Sequence, residues 1–400
     1  MSIKYGLLRF FRFLKANETQ ILTMFLQPVS FLIPVKKNRI VFCNFMNGYT
    51  CNLKYIAKEL IKRDKNTEIY WISGAAAAKP EEFPPKIRLV DFSNKKEVFR
   101  LASSARILIT NSCLTRLFML GFVKKPEQIY INTWHGSFGI KKVSFGIELY
   151  KDDPQWLRFN LKDSAAVDYA VSNSDFETEI YKNERFFRKN IVLFGHPRND
   201  IFFTEDAQYK EKIKKALKIP ENTRIILYVP SFRDDIRTNC FGLDYLRVIE
   251  ALEKAHNRDY CFVVRFHPHM ISMSSALLPE SPKIIDATLY PDIQELLAGA
   301  DIAITDYSSC IFDFMLSKKP AFFYAEDVEK YNQERGFYFP MKEAPFPLAT
   351  TTDGLIKAML EFNNEEYPAK IDEFLKRQGA FEDGHASERV ADLVEEILEK

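Results

Sequence analysis

Small hydroxyl residues after an apolar strand are the strongest sign of a binding site in this sequence. Residues 301–305 form a short apolar run, and Asp306, Tyr307, Ser308 and Ser309 follow and open a stretch with helical periodicity. Free N–H groups and the positive dipole end at such a helix start favour a bound phosphate or diphosphate. The alternative is an ordinary N-cap, in which Asp306 and the serines only satisfy the helix terminus.

Cationic side chains follow two other predicted strands and would reach the same ligand. Arg265 lies at the carboxyl end of strand 260–266, and His267 follows it. Arg233 comes four residues after the end of strand 224–229. Guanidinium groups bind phosphate oxygens through paired hydrogen bonds. The candidate anion site therefore consists of Arg233, Arg265, His267, Thr305, Asp306, Ser308 and Ser309.

A histidine in the first half of the chain is the candidate base. His135 leaves the apolar run 129–132 into a turn with Gly136, and Lys141 and Lys142 follow. An unperturbed imidazole titrates at about pH 6.5, so it could accept a hydroxyl proton at neutral pH. The alternative is a structural imidazole that is bonded to the backbone.

Two further polar residues lie at the expected junction of the two halves. Arg198 and Asp200 could either contact a ligand or pin the hinge, and the sequence favours neither. No metal-ligand spacing is found, so neither a protein-held metal nor another tightly bound cofactor is expected. The pairs Asp152-Asp153 and Asp234-Asp235 could bind magnesium loosely, although both are typical of solvated turns.

Alternating strands and helices must position these residues. From Arg39 onward, β-branched or aromatic runs alternate with helical stretches, which is typical of parallel α/β sheets. A second series of strands begins at Arg224, so the 400 residues predict two α/β domains, 37–200 and 201–400, with a cleft between them. The final helical run, 372–399, could pack back on the first domain.

Residues 1–36 precede the first predicted strand and carry an amphipathic pattern. On a helical wheel of residues 3–15, phenylalanine and leucine side chains lie opposite four lysines and arginines. This pattern predicts attachment to an anionic membrane surface, with packing on the protein body as the alternative. The apolar residues 21–35 contain Pro28 and Pro34 and fall short of the roughly 20 residues of a spanning helix.

The composition argues against several other classes of protein. A formal net charge of +2 argues against a nucleic-acid partner, which requires a strongly basic surface. The six cysteines show neither zinc-site nor disulfide spacing and are typical of a reducing cytosol. Together with the amphipathic segment, they predict a peripheral protein on the cytoplasmic face of a membrane.

Seven short motifs follow one another along the chain. They are Trp134-His135-Gly136 with Lys141-Lys142, Gly195–Asp200, Pro230–Arg233, Arg265–Pro268, Thr305–Ser309, Arg335–Tyr338 and Asp383–Ser387. In this order they resemble the CDP-glycerol glycerophosphotransferase family, which primes and polymerises teichoic acids and related capsular polymers. The resemblance extends from about residue 39 to the C-terminus and implies a GT-B-like arrangement of two Rossmann-like domains.

The resemblance also implies a reaction. Glycerol phosphate, or a related unit such as ribitol phosphate, would pass from a CDP-alcohol to a hydroxyl of a lipid-linked saccharide or polymer acceptor, with release of CMP. His135 would activate that hydroxyl, and Arg265, His267, Ser308 and Ser309 would surround the diphosphate, with Arg233 nearby. His135 and His267 are therefore the expected catalytic residues.

One loop departs from the family pattern, and one other enzymatic function stays open. Residues 137–140 read Ser-Phe-Gly-Ile, where the family more often has Thr-Pro-Leu, and this loop is expected to face the acceptor. A GT-B glycosyltransferase using a nucleotide sugar would have a similar fold and cleft. In that alternative, Glu326 or Asp327 would hold the ribose or sugar hydroxyls. A silent membrane scaffold would lack His135 or the cations, which are present.

Overall fold

Parallel sheets with helices on their faces organise the chain. The structure is a computed structural model that describes residues 26–44, 48–63, 65–74, 79–147, 153–185, 187–204, 206–231, 242–267 and 270–400. Both sheets contain only parallel strand pairs, as the alternation of strands and helices predicts.

The first half of the chain forms a seven-stranded sheet. Its strands are β1 Lys36–Asn44, β2 Glu68–Ser73, β3 Ile87–Asp91, β4 Ala105–Thr110, β5 Ile129–Asn132, β6 Tyr169–Ser172 and β7 Asn190–Leu193. The α-helices are α1 Cys51–Lys62, α2 Lys95–Ser104, α3 Thr115–Met119, α4 Pro154–Ala166 and α5 Asp175–Asn183. The spatial order β3-β2-β1-β4-β5-β6-β7 reverses direction between β1 and β4. Ligands bind at such switch points in open α/β sheets.

The second half forms a six-stranded sheet. Its strands are β8 Arg224–Val229, β9 Tyr260–Val264, β10 Ile284–Asp286, β11 Ile302–Thr305, β12 Ala321–Tyr324 and β13 Leu348–Ala349. The α-helices are α6 Asp206–Leu217, α7 Tyr245–His256, α8 Ile293–Gly299, α9 Cys310–Phe314, α10 Val328–Arg335, α11 Thr352–Leu360, α12 Tyr367–Arg377 and α13 Ala386–Glu399. The order β10-β9-β8-β11-β12-β13 places this switch point between β8 and β11.

The C-terminal helical run is broken, contrary to the sequence prediction. Residues 372–399 do not form one helix, because α12 ends at Arg377 and α13 begins at Ala386. Gly379 and Gly384 between them have φ values of +60° and +85°, a backbone region that suits glycine and ends a right-handed helix.

The last helix packs on the first sheet rather than the second. Val390, Val394 and Ile397 of α13 share a hydrophobic core with Ile40 of β1 and Leu53 of α1. Their burial satisfies the apolar face of α13, so the end of the chain covers one face of the first domain.

A loop of the first domain enters the core of the second. Phe138 is 2% exposed and packs against Phe312 and Phe374, at ring-centroid distances of 6.4 and 6.2 Å. Ile140 is fully buried in the same cluster. The expectation that this loop faces the acceptor is therefore wrong for both apolar side chains, because their hydrophobic surface is removed from solvent by the second domain.

Polar contacts also join the two domains. Lys54 of α1 forms buried ion pairs with Asp292 and Glu295, at 2.7 and 2.8 Å. The backbone that continues from Phe138 and Ile140 also pairs with the second domain, since Lys142 N–H donates to the carbonyl of Gly336 at 3.0 Å. The two sheets are thus held together across an extensive interface.

A short helical stretch precedes the first strand. Residues 26–32 are helical, and Ser30 packs against the body through a 2.9 Å hydrogen bond with Ser103. Phe31 and Leu32 are 56% and 81% exposed. The predicted amphipathic helix 3–15 lies outside the described residues. Within the described ranges, none of the helices has the length and apolar character required to cross a membrane.

Candidate active site

The carboxyl edges of the two sheets meet at the residues that the sequence singles out. A side-chain β-carbon placed on Gly136, after β5, would lie 3.4 Å from Oγ of Ser309, after β11. A β-carbon on Gly139 would lie 3.4 Å from Cβ of the same serine. The loop that carries His135 and the Ser308-Ser309 turn are therefore neighbours across the cleft.

His135 is held in one tautomer by the end of the adjacent strand. Its Nδ1 lies 2.6 Å from the backbone carbonyl oxygen of Asn111, which follows β4. A carbonyl oxygen only accepts hydrogen bonds, so Nδ1 carries the proton and Nε2 has a lone pair. This is the backbone bond expected of a structural imidazole. The same bond leaves Nε2 able to act as a base.

The protein keeps this imidazole neutral. The side chain is exposed to the cleft. Nevertheless, protein atoms surround it closely enough to disfavour the charged form, which lowers the pKa of His135 to about 4. The positive charges of Arg198 and Arg185 act in the same direction. At neutral pH, His135 is therefore ready to accept a proton.

Arg198 and Asp200 both make contacts within the protein. The Arg198 guanidinium donates to the carbonyl oxygen of His135 and forms a 2.7 Å ion pair with Asp313. Burial opposes its charge, but Asp313 more than compensates and raises the pKa of Arg198. The carboxylate of Asp200 accepts the backbone N–H groups of Ala386 and Ser387, at 3.0 and 2.8 Å. Both side chains are thus engaged within the protein near the domain junction.

Thr305 and Asp306 tie the ends of two strands together. The Thr305 hydroxyl donates to the carbonyl oxygen of Val229. The Asp306 carboxylate accepts the backbone N–H of Ser231 at 2.9 Å, and its side chain is buried. These two residues therefore shape the edge between β8 and β11 from within the protein.

Ser308 and Ser309 are half-buried at the start of α9. The backbone N–H of Cys310 lies 3.5 Å from Oγ of Ser308, whereas the Ser309 hydroxyl does not cap the helix. The helix predicted here is short, because α9 ends at Phe314 and a 3-10 turn, Met315–Ser317, follows. The Ser309 hydroxyl lies beside Gly136.

Arg265 lies beside this turn with unused donor capacity. Its Nη2 is 3.4 Å from the carbonyl oxygen of Pro291, and its buried Nη1 has no hydrogen-bond partner among the described residues. Burial lowers the pKa of Arg265, whereas Asp292 and Cys310 act in the opposite direction. A half-buried guanidinium with one buried, unmatched donor suits an anionic ligand.

The remaining predicted residues occupy different positions around the cleft. His267 is exposed after β9, on the same strand end as Arg265. Lys141 forms an isolated β-bridge with Phe337, and the Lys142 side chain packs on Gly336. Arg233 lies outside the described residues. In the described part of the chain, no cluster of three or more histidine, cysteine or acidic side chains could hold a metal ion.

The structure adds residues that the sequence analysis did not identify. Asn52 and Arg185 contact Trp134, in the loop that carries His135. Asp313 pairs with Arg198, which bonds the His135 carbonyl. Asp313 had a signal, since it is the single carboxylate in the otherwise apolar helix Cys310–Phe314. Arg185 had none, because it follows α5 in an ordinary charged segment.

A family model and several known proteins match this chain. The model described as CDP-Glycerol:Poly(glycerophosphate) glycerophosphotransferase matches residues 25–396. A teichoic acid poly(glycerol phosphate) polymerase of Bacillus subtilis (strain 168) is 30% identical over 376 residues, which cover 90% of this chain and 49% of the polymerase. A teichoic acid glycerol-phosphate transferase of Staphylococcus aureus (strain NCTC 8325 / PS 47) is 33% identical over 68% of this chain and 72% of its own length.

Solved structures agree with these sequence matches. The wall teichoic acid polymerase TagF, as the H548A variant, matches with a TM-score of 0.81 and 27% identity, and the match covers 100% of this chain and 99% of that chain. S. aureus MnaA, solved with UDP, is 14% identical with a TM-score of 0.52, covers 90% of this chain and 97% of its own, and shares the fold alone.

The extent of these matches decides the family. The chain spans about half the length of the first two curated relatives, 49% and 52%. The family model nevertheless covers nearly all of it, including both sheets and the cleft. This chain therefore belongs to the CDP-glycerol:poly(glycerophosphate) glycerophosphotransferase family.

Proposed function

We propose that this protein transfers glycerol phosphate, or a related alcohol phosphate such as ribitol phosphate, from a CDP-alcohol to a hydroxyl of a membrane-linked acceptor, and releases CMP. The observation that carries the proposal is the contact between the His135 loop and the Ser308-Ser309 turn. Relatives include polymerases of both glycerol phosphate and ribitol phosphate, and TagF has been solved after a soak with CDPG.

The proposed reaction begins at His135. Its Nε2 takes the proton of the acceptor hydroxyl while the hydroxyl oxygen attacks the phosphorus that carries the alcohol. The bond from that phosphorus to the CMP oxygen breaks, and CMP leaves with the electron pair. The neutral imidazole becomes an imidazolium, which later releases its proton to solvent.

The second domain supports this proposal by offering stabilisation of the leaving group. Arg265, Ser308 and Ser309 would contact the diphosphate, with Arg233, and His267 would stabilise the charge that develops on CMP. Thr305 and Asp306 would support these groups by holding the strand ends, since both side chains bond within the protein. A loosely bound Mg²⁺ would add positive charge at the diphosphate.

The glycosyltransferase alternative receives less support from the residues proposed for it. Glu326 accepts hydrogen bonds from Gly242 N–H at 3.2 Å and from the Tyr324 hydroxyl at 2.8 Å. Asp327 accepts one from the Tyr307 hydroxyl at 2.8 Å. Both carboxylates are thus engaged within the protein, which favours the CDP-alcohol donor.

We also propose attachment to the cytoplasmic face of the membrane, where a lipid-linked acceptor would be found. Phe31 and Leu32 are exposed, and residues 3–15, earlier in the sequence, carry the amphipathic pattern. Exposed apolar side chains that follow a basic amphipathic sequence suit an interface with anionic lipid.

The first experiment measures CMP release from CDP-glycerol and CDP-ribitol, with UDP-sugars as controls, in the presence of lipid-linked acceptor. We expect CMP release by the unmodified protein and a loss of about 10²- to 10⁴-fold in His135→Ala, because the general base is removed. His256→Ala is the matched control, since His256 bonds the Tyr260 hydroxyl at 2.8 Å, away from the cleft.

The outcomes separate the candidate functions. Preference between the two CDP-alcohols would identify the transferred unit, and loss of activity in EDTA would identify a role for Mg²⁺. Release of UDP instead of CMP would overturn the proposal in favour of a glycosyltransferase. Full activity of His135→Ala would remove this histidine from the mechanism.

A further inference from the structure

Side chains hold the backbone of the His135 loop at three consecutive residues. The Asn52 amide donates to the carbonyl oxygens of Thr133 and Trp134, each at 3.0 Å. The Arg198 guanidinium donates to the carbonyl oxygen of His135 itself. The position of the imidazole is therefore fixed through the main chain as well as through the Nδ1 bond to Asn111.

The loop needs this support because its backbone is strained. Trp134 has a φ of +51°, a left-handed conformation that is unfavourable for a bulky side chain. The Arg185 guanidinium stacks 3.8 Å above the Trp134 ring, and the Trp134 and His135 ring centroids are 4.1 Å apart. Strain of this kind persists only where surrounding contacts overdetermine the conformation.

Asp313 of the second domain links these contacts to the side of the cleft where the CDP-alcohol is proposed to bind. Its carboxylate pairs with Arg198 at 2.7 Å and accepts the hydroxyl of Ser137, two residues after His135. Asp313 is 1% exposed and lies in α9, four residues after Ser309. From the helix that begins at the serine turn, one buried carboxylate thus bonds Ser137 of the His135 loop and also Arg198, which holds the His135 carbonyl.

We propose that Asp313 is a positioning residue that sets the distance between Nε2 of His135 and the diphosphate at Ser308-Ser309. This inference rests on the function proposed above. A carboxylate suits the role because it accepts from a guanidinium and a hydroxyl at once, whereas an amide at the same place would turn one donor toward another donor.

The test compares Asp313→Asn with Glu295→Gln. Glu295 also makes a buried ion pair between the domains, with Lys54 at 2.8 Å, but it does not contact the His135 loop. We expect Asp313→Asn to lower kcat for CMP release about 10- to 100-fold, since a displacement of about 1 Å can cost that much. The Kd for the CDP-alcohol should change less than about threefold, because the side chains proposed to bind its diphosphate are unchanged.

Two further measurements separate positioning from general stability. Glu295→Gln should lower the unfolding temperature while kcat stays near the unmodified value, and Asp313→Glu should recover part of kcat. Hydrogen exchange of peptides covering residues 132–138 should become faster in Asp313→Asn and stay unchanged in Glu295→Gln.

The outcomes also distinguish this inference from the proposed function. Equal losses of kcat and donor affinity in Asp313→Asn, or equal kcat losses in the two variants, would overturn the positioning role. If the unmodified protein releases no CMP, the proposed function fails. Hydrogen exchange then decides whether Asp313 orders the loop, and an unchanged rate in Asp313→Asn would refute that.

Discussion

His135 combines a fixed tautomer with a depressed pKa, and each feature has its own cause. The Asn111 carbonyl places the proton on Nδ1, while the surrounding protein atoms lower the pKa to about 4. A base with this pKa is present in its active form through the whole neutral range, although it is a weaker base than a free imidazole.

The depressed pKa predicts an unusual pH profile. Because the folded pKa lies below 6.5, His135 stays unprotonated until the pH approaches 4. We expect kcat/KM for CMP release to be level from about pH 8 to 5.5 and to fall only below that. Circular dichroism at each pH would control for unfolding. An acidic limb centred at about pH 6.5 would show that the imidazole is solvated as in a free peptide.

Helix termini depend on contacts between residues that are distant in sequence, and the start of α13 is an example. His385 precedes this helix without capping it, and Asp200 supplies the acceptor for Ala386 and Ser387 N–H. Burial raises the pKa of Asp200, so these hydrogen bonds compensate for a partly desolvated carboxylate.

Removal of this cap should destabilise the protein without changing its chemistry. We expect Asp200→Ala to lower the free energy of unfolding by roughly 1–2 kcal/mol, since two N–H groups at a helix terminus lose their acceptor. Denaturant titration would measure the change, with Glu396→Ala on the exposed face of α13 as the control. A difference below about 0.3 kcal/mol between the variants would mean that water replaces the carboxylate.

At the scale of the whole molecule, the domains are joined by core packing as well as by polar contacts. Phe138 and Ile140 belong to the second domain's core, and α13 belongs to the first domain's core. The cleft therefore forms between two bodies whose cores interlock, which fixes the His135 loop against the serine turn.

The membrane proposal makes a prediction at this scale. A variant carrying both Phe31→Glu and Leu32→Glu should bind phosphatidylglycerol-containing vesicles at least about tenfold more weakly, because each apolar side chain contributes roughly 1.5–3 kcal/mol when buried. Vesicle sedimentation would measure it. Leu289→Glu, at a side chain 72% exposed in the second domain, is the control. Equal vesicle binding by both variants would show that Phe31 and Leu32 do not contact the membrane.

The sequence by itself determined the two series of parallel strands and the residues at their carboxyl ends. Period and composition are local properties, so the strand Arg224–Val229 was predicted with the bounds that the structure shows. His135, Arg265 and Ser309 were found because polar residues directly after apolar strands point to the ligand edge of an α/β sheet.

Only the tertiary structure decided how these residues are used. Whether Arg198 and Asp200 bind a ligand or pin the junction depends on Asp313 and on the start of α13, which are more than a hundred residues away in sequence. The burial of Phe138 likewise depends on Phe312 and Phe374, which the second domain supplies. Such contacts arise from packing between domains, and local sequence patterns carry no record of which distant surfaces will meet.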